Sequence, residues 1–206
     1  MVKGIRIYVE GGGEVHRSKS ELRRGFNGFL RELQENARVK RVHWNIVACG
    51  SRSETFRDFQ NALVSHPEAF NVLLVDSEEP LYLANGPREH LRQRDSWSPP
   101  QISDDNYHLM VRMMEAWLVA DVEALAHYYG NGFNLNAIPK TPNVEQIDKA
   151  TLEMALKHAT NKTQKGEYHK VNDGFELLTR VDAAKVRKVA SHCERLFQTL
   201  HDKLKG

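Results

Sequence analysis

The sequence predicts an α/β fold in which helices cover both faces of a parallel sheet of about four strands. Short apolar segments at residues 5–9, 42–49 and 71–76 alternate with segments of helical periodicity. This order of strand, helix, strand, helix, strand is typical of βαβ units in a parallel sheet. The third segment shows no alternation before it ends at Asp76, as expected of a parallel strand buried on both faces.

The first strand is predicted from residues 5–9, which are rich in β-branched and aromatic side chains. Glu10 and three glycines follow directly. Glycine permits a sharp turn and a close approach of the backbone to a ligand. Glu10 is therefore expected at the carboxyl end of a strand, where open parallel sheets bind their ligands.

The other elements follow from apolar spacing and from turn residues. Helices are predicted over residues 20–39 and 53–64, the second with Ser53 as its N-cap. Residues 80–100 hold four prolines and are predicted to be irregular, with one helical turn near Glu89. A fourth strand is predicted at residues 108–111, and further helices at residues 114–130, 144–159, 173–180 and 182–204.

The composition indicates an ordinary globular protein. The chain has 206 residues, of which 40% are hydrophobic and 27% charged, with a net charge of +2. These values exclude a disordered or strongly basic chain, so any contact with nucleic acid must come from local patches. We expect one compact domain, with a core at residues 1–130 and a helical C-terminal extension at residues 131–206 packed on it.

Cysteine usage and hydropathy predict a cytoplasmic location without membrane contact. Cys49 and Cys193 lie far apart and lack the paired spacing of a zinc site or a disulfide framework. The first residues form no apolar signal segment, and no run approaches the ~18 apolar residues that cross a bilayer.

Acidic residues follow two of the predicted strands. Glu10 ends the first strand, and Asp76 and Glu78 end the third. If these strands are parallel neighbours, the three carboxylates meet at one edge of the sheet. Repulsion within such a cluster raises a pKa or recruits a hard cation such as Mg²⁺. The alternative explanation is that these acids are solvated loop residues or helix N-caps.

This pattern resembles the Toprim domain of topoisomerases, primases and related nucleases. The likeness lies in Glu10-Gly11-Gly12-Gly13 after the first strand and Asp76-Ser77-Glu78 after the third. Over nearly the whole chain, the sequence also resembles a bacterial family described as a domain of unknown function (DUF4276), which is grouped with Toprim-like proteins of phage defence. Segments 5–11, 49–52, 72–76, 108–121 and 165–170 carry this closer resemblance. It implies a Toprim-like, Rossmann-like sheet.

The resemblance also implies roles for the acids. It makes Glu10 a general acid or base or a metal ligand, and Asp76 and Glu78 ligands of Mg²⁺ or Mn²⁺. The Toprim pattern usually has aspartate where Glu78 stands. Glu115 resembles the acid of a Glu-x-Trp segment in Toprim-like defence proteins and is a fourth catalytic candidate. A structural explanation competes for Glu115, because the helix dipole favours glutamate in the first turns of a helix.

Basic residues in two segments are candidate contacts to a nucleic-acid backbone. They are Arg52, Lys165, His169 and Lys170, with Tyr168 placed to stack on a base. Solvated loop charge is the alternative explanation. The sequence holds neither the dinucleotide-binding fingerprint nor the P-loop.

The function that the resemblance implies is Mg²⁺-dependent hydrolysis of phosphodiester bonds in DNA or RNA, within a bacterial antiviral defence system and with an ATPase partner. One alternative is a non-catalytic regulatory or nucleic-acid-binding module with a degenerate Toprim site. Another is a small-molecule phosphotransfer enzyme, for which no nucleotide pocket is evident. The choice between a monomer and a homo-oligomer stays open at this point.

Overall fold

The computed structural model describes residues 2–13, 16–81 and 86–205. It contains a four-stranded, fully parallel sheet with the strand order β2-β1-β3-β4. The strands are β1 (Gly4–Glu10), β2 (His43–Gly50), β3 (Ala69–Asp76) and β4 (Tyr107–Met110). The predicted α/β fold with a parallel sheet and a helical C-terminal part is confirmed.

Helices surround the sheet. They are α1 (His16–Phe29), α2 (Arg31–Val39), α3 (Arg52–Ser65), α4 (Pro87–Asp95), α5 (Glu115–Val119), α6 (Val122–Tyr129), α7 (Lys149–Thr160), α8 (Phe175–Leu178), α9 (Ala183–Val189) and α10 (Ser191–Lys205). Short 3-10 turns lie at Asp104–Asn106, Leu135–Ala137 and Val144–Gln146, and a π-helical turn lies at Lys170–Gly174.

Two apolar cores cover the two faces of the sheet. The large core takes Ile5, Ile7 and Val9 from β1 and the apolar sides of α1, α2 and the C-terminal helices. Within it, Phe29 stacks on Trp117 with ring centroids 5.0 Å apart. The small core takes Tyr8 from β1 and packs it against α3 and α4. This division follows from strand geometry, because successive side chains of a strand point to opposite faces.

The N-cap of α3 is Ser51 and not the predicted Ser53. The Ser51 hydroxyl accepts from the Glu54 amide at 3.3 Å, and the Glu54 carboxylate accepts from the Ser51 amide at 2.8 Å. This reciprocal capping box starts the helix directly after β2. As a result, Arg52 is the first residue of the helix and lies at the carboxyl edge of the sheet.

Three predicted helices are each divided in the structure. Residues 20–39 form α1 and α2, residues 114–130 form α5 and α6, and residues 182–204 form α9 and α10. At the second break, the Asp121 carboxylate accepts from the Ala124 and Asp182 amides. At the third, Glu145 accepts from the His192 amide. These contacts satisfy amides in the first turns of α6 and α10 or at the start of α9 without interrupting the apolar spacing, so the spacing alone does not reveal the breaks.

The predicted irregular connection at residues 80–100 contains more regular structure than one turn. α4 occupies Pro87–Asp95, with proline in its first turn. Residues 82–85 of this connection lie outside the described residues. Elsewhere α7 begins at Lys149, where Asp148 caps the Thr151 amide, rather than at residue 144.

The structure bears on the predicted state of the cysteines and on membrane-spanning helices. Both cysteines are free and buried, as expected of small core residues. Within the described ranges, every helix is too short or too polar to cross a lipid bilayer.

Gly25 permits the close packing of α1 on α8, because a Cβ atom there would lie 2.7 Å from the Phe175 carbonyl oxygen. We expect Gly25→Ala to lower the free energy of unfolding by about 1–3 kcal/mol, since this overlap outweighs the ~1 kcal/mol that alanine adds in helix propensity. Denaturant unfolding measures the change. Ser20→Ala, at an exposed position of the same helix, is the control and should change the value by less than about 0.5 kcal/mol. An unchanged or more stable Gly25→Ala protein would contradict the close contact.

Candidate active site at the carboxyl edge of the sheet

Glu10 and Asp76 end two neighbouring parallel strands and so reach the same edge of the sheet. Arg52 contacts both the Glu10 carboxylate and the Asp76 carbonyl oxygen, and the Glu10 charge acts on the Asp76 carboxyl group. The side-chain partners of the two acids nevertheless differ, so the acids belong to two adjacent clusters. We name them the Glu10 group (Glu10, Arg52 and Asp95) and the Asp76 group (Asp76, Glu115, Tyr168 and Lys170).

Arg52 holds the Glu10 group together. Its Nη1 donates to Glu10 Oε2 at 2.9 Å and to the Asp76 carbonyl oxygen at 2.6 Å. Its Nε and Nη2 donate to the two carboxylate oxygens of Asp95, each at 2.9 Å. A planar guanidinium suits such a bidentate contact. Arg52, predicted as a nucleic-acid contact, thus has most of its donors committed within the protein and links the two groups through Nη1.

The Asp76 group places one ammonium between two buried carboxylates. Lys170 Nζ lies 3.4 Å from Asp76 Oδ2 and 3.4 Å from Glu115 Oε2. The side chains of Asp76 and Glu115 are 8% and 1% exposed. The other oxygens are fixed: Asp76 Oδ1 accepts from the Met114 amide, and Glu115 Oε1 accepts from the Tyr168 hydroxyl, both at 2.9 Å.

Negative charge predominates at this edge of the sheet. Burial raises the pKa of Asp76 to about 7; the Lys170 charge opposes this shift, while Glu115, Glu10 and Glu78 add to it. Burial also raises the pKa of Tyr168 well above its ordinary value, and the Glu115 charge adds to that shift. At neutral pH, Tyr168 is therefore a neutral hydrogen-bond donor that holds Glu115 in place.

Two oxygens of the Asp76 group are poorly satisfied. Glu115 Oε2 is buried and accepts no hydrogen bond, and the 3.4 Å contacts of Lys170 are longer than the roughly 2.7–2.9 Å of good charge-assisted bonds. Mg²⁺ is commonly held by one or two carboxylates, with water and phosphate oxygens completing its shell. Asp76 and Glu115 fit that donor set. Among the residues described, no group of three or more His, Cys, Asp or Glu side chains is gathered for a metal.

Glu78 has a different partner from this pair. Its φ of 63° is left-handed, so the segment after Asp76 is not extended. Glu78 Oε2 instead accepts from Lys149 Nζ of α7 at 2.6 Å. Burial raises the pKa of Glu78, but the Lys149 contact outweighs burial and holds it below the ordinary value.

The remaining predicted nucleic-acid contacts lie on the surface of the segment that leads to Lys170. Lys165 and His169 are exposed; Lys165 Nζ lies 4.4 Å from the centroid of the Tyr128 ring. Lys170 differs from both, because its ammonium faces the carboxylates. Tyr168 is buried, so it is unavailable for the predicted stacking on a base.

Sequence reasoning missed Asp95 and Lys149 and gave Tyr168 the wrong role. Asp95 lies in the proline-rich connection that was predicted to be irregular, and Lys149 begins a helix far along the chain from its partner Glu78.

Comparison with known proteins identifies one family. The model of a family described as a domain of unknown function (DUF4276) matches residues 9–201. This range includes both the Glu10 group and the Asp76 group. No curated protein and no solved structure matches the chain.

The raised pKa of Asp76 predicts a specific pH dependence of stability in metal-free buffer. The pKa of Asp76 is about 7 in the folded protein and 3.8 for an ordinary aspartate, so the unfolded chain releases this proton first as the pH rises. Raising the pH from about 4 to about 8 should therefore lower the free energy of unfolding of the native protein by up to ~4 kcal/mol more than that of Asp76→Asn. Denaturant unfolding of both proteins across this range measures the difference.

Asp202→Asn is the control, because Asp202 is an exposed carboxylate near the end of α10. Its stability should follow that of the native protein at every pH. Parallel curves for the native protein and Asp76→Asn would show that Asp76 ionises normally in the folded state.

Proposed function

The chain belongs to the DUF4276 family, and we propose that it is a Toprim-like phosphodiesterase that hydrolyses DNA or RNA with Mg²⁺ or Mn²⁺ at the Asp76 group. The observation that carries the proposal is the pair of buried carboxylate oxygens, Asp76 Oδ2 and Glu115 Oε2, that face a single ammonium at 3.4 Å. A parallel sheet with an acid and glycines after β1 and a second acid after β3 supports the Toprim relationship.

Asp76 and Glu115 are the residues that would hold the metal. When bound, the metal supplies positive charge that stabilises the attacked phosphate and helps to orient the attacking water. Hydrogen bonds orient both carboxylates. The Met114 amide fixes one oxygen of Asp76, and the Tyr168 hydroxyl fixes one oxygen of Glu115, so in each case the other oxygen remains for the metal.

Glu10 is the proposed proton acceptor. Its side chain is 22% exposed, so water can reach it, and Arg52 fixes its Oε2. A carboxylate held in this way takes a proton from water as the water attacks phosphorus. Glu78, bound to Lys149, is assigned a supporting electrostatic role because its negative charge helps to raise the pKa of Asp76.

Glycines and exposed basic residues at the rim of the site would accommodate a nucleic-acid strand and contact its phosphates. Gly11, Gly12 and Gly13 have φ values of 119°, 83° and 52°, a succession that side chains with a Cβ atom rarely adopt. The backbone can therefore pass close to a substrate beside Glu10. Lys165 and His169 are exposed next to the Asp76 group and would contact substrate phosphates.

The biological setting is part of the same proposal. The family resemblance supports a cytoplasmic role in bacterial antiviral defence, in which an ATPase partner controls the nuclease.

A second candidate is a non-catalytic nucleic-acid-binding or regulatory module. One observation favours it: Arg52, Lys170 and Lys149 already pair with the acids at this edge. A site neutralised by its own basic side chains can be a structural remnant. The module would still bind nucleic acid through exposed residues such as Lys165.

Cleavage assays separate the two candidates. We expect Mg²⁺- or Mn²⁺-dependent cutting of at least one substrate among single-stranded DNA, duplex DNA, RNA and transfer RNA, tested with and without the protein that co-purifies with the chain. Asp76→Asn, Glu115→Gln and Glu10→Gln should each lower the rate by at least about 100-fold, because each removes a ligand or the proton acceptor. EDTA should abolish cutting.

Glu153→Gln is the matched control, since Glu153 is exposed on α7, and its rate should equal that of the native protein. Normal cutting by both Asp76→Asn and Glu10→Gln would refute the assigned site. Binding of nucleic acid without cutting, in the presence of metal and partner, would establish the non-catalytic module instead.

A further inference from the structure

Lys170 combines an exposed side chain with a buried charge contact. The side chain is 46% exposed, although its Nζ lies between Asp76 and Glu115, which are almost fully buried. A lysine ammonium is positively charged at neutral pH, so its charge faces both carboxylates while part of the side chain remains in contact with solvent.

One ammonium is an incomplete partner for this pair of acids. It brings a single positive charge to two carboxylates, and both contacts are 3.4 Å long. It also leaves Glu115 Oε2 without a hydrogen bond. A divalent cation brings twice the charge and binds carboxylate oxygens at about 2.0–2.1 Å in the case of Mg²⁺. The same two oxygens can serve only one of these cations at a time.

The backbone beneath Lys170 is anchored independently of its ammonium. Lys170 begins the π-helical turn, whose first hydrogen bonds join His169 and Asp173: the His169 amide donates to Asp173 Oδ2 at 2.8 Å, and the Asp173 amide donates to the His169 carbonyl oxygen at 2.9 Å. Tyr128 donates to Asp173 Oδ1 at 3.0 Å. The four-carbon stem can therefore swing outward by rotation about its own bonds while the turn stays in place.

From these contacts we propose that Lys170 is a tethered competitor of the divalent cation and sets the metal affinity of the site. In the metal-free protein it balances Asp76 and Glu115. When metal binds, the ammonium leaves the pair and projects from the rim, where it is free to meet a substrate phosphate. This inference rests on the proposed metal site and adds that the protein needs a threshold metal concentration, because the metal must first displace Lys170.

Metal titration tests the competition directly. Mn²⁺ binding, followed by calorimetry and by electron paramagnetic resonance at about pH 8, should be about 5- to 100-fold tighter for Lys170→Met than for the native protein. Lys170→Arg keeps the competing charge and should not show this gain. Lys188→Met, at an exposed position of α9, is the matched control and should bind Mn²⁺ like the native protein.

A labelling experiment tests the displacement in the native chain and does not depend on the folding of a variant. Amine-reactive labelling followed by mass spectrometry should modify Lys170 faster with saturating Mg²⁺ than in EDTA, because the displaced ammonium loses its carboxylate partners. Lys188 serves as the internal reference and should react equally in both conditions.

The outcomes separate this inference from the proposed function. Mn²⁺ binding of equal or lower affinity in Lys170→Met, or unchanged labelling of Lys170 with metal bound, would overturn the competition and leave the metal site intact. No Mn²⁺ binding to the native protein or to Lys170→Met would overturn the metal site and the competition together. Tighter binding in Lys170→Met without nucleic-acid cutting would support the competition while the proposed reaction fails.

Discussion

The parallel pairing of β1 with both β2 and β3 is the constraint on which the candidate site depends. This pairing runs without interruption from Gly4 to Val9 on the β3 side, so the two strands end side by side. Apolar side chains of β1 are buried in both cores, and a shift by one residue would exchange those faces. The position of Glu10 beside the end of β3 is therefore determined by the packing of the whole sheet.

The consequence of this pairing is a concentration of negative charge in a region with little water. Buried carboxylates need partners, and removing one partner leaves an uncompensated charge. The chain meets this need with basic residues from α3, from α7 and from the turn before α8. Contacts among these distant segments hold the C-terminal part of the chain against the edge of the sheet. The same charge makes the edge suited to a divalent cation.

The sequence predicted the parts of this arrangement that depend on local pattern. Glu10 and Asp76 were placed at strand ends, because a β-branched or apolar run that ends in an acid is a local signal. The division of their partners between the Glu10 group and the Asp76 group was not predicted, since it depends on basic side chains from distant segments of the chain. The pairing of Lys170 with Asp76 joins residues 94 positions apart, and apolar spacing carries no information about such a contact.

Arg52 and Lys170 illustrate why residue type alone does not reveal a role. Both were predicted as contacts to nucleic acid, and both lie among the acids. Arg52 makes four hydrogen bonds of 2.6–2.9 Å, and its side chain is 14% exposed, so its removal would open the Glu10 group. Lys170 makes two 3.4 Å contacts from a side chain that is 46% exposed. The planar fork is a fixed clamp, whereas the flexible ammonium is an exchangeable cation. The difference in contact geometry, rather than the shared positive charge, therefore assigns a structural role to Arg52 and the proposed role of metal competitor to Lys170.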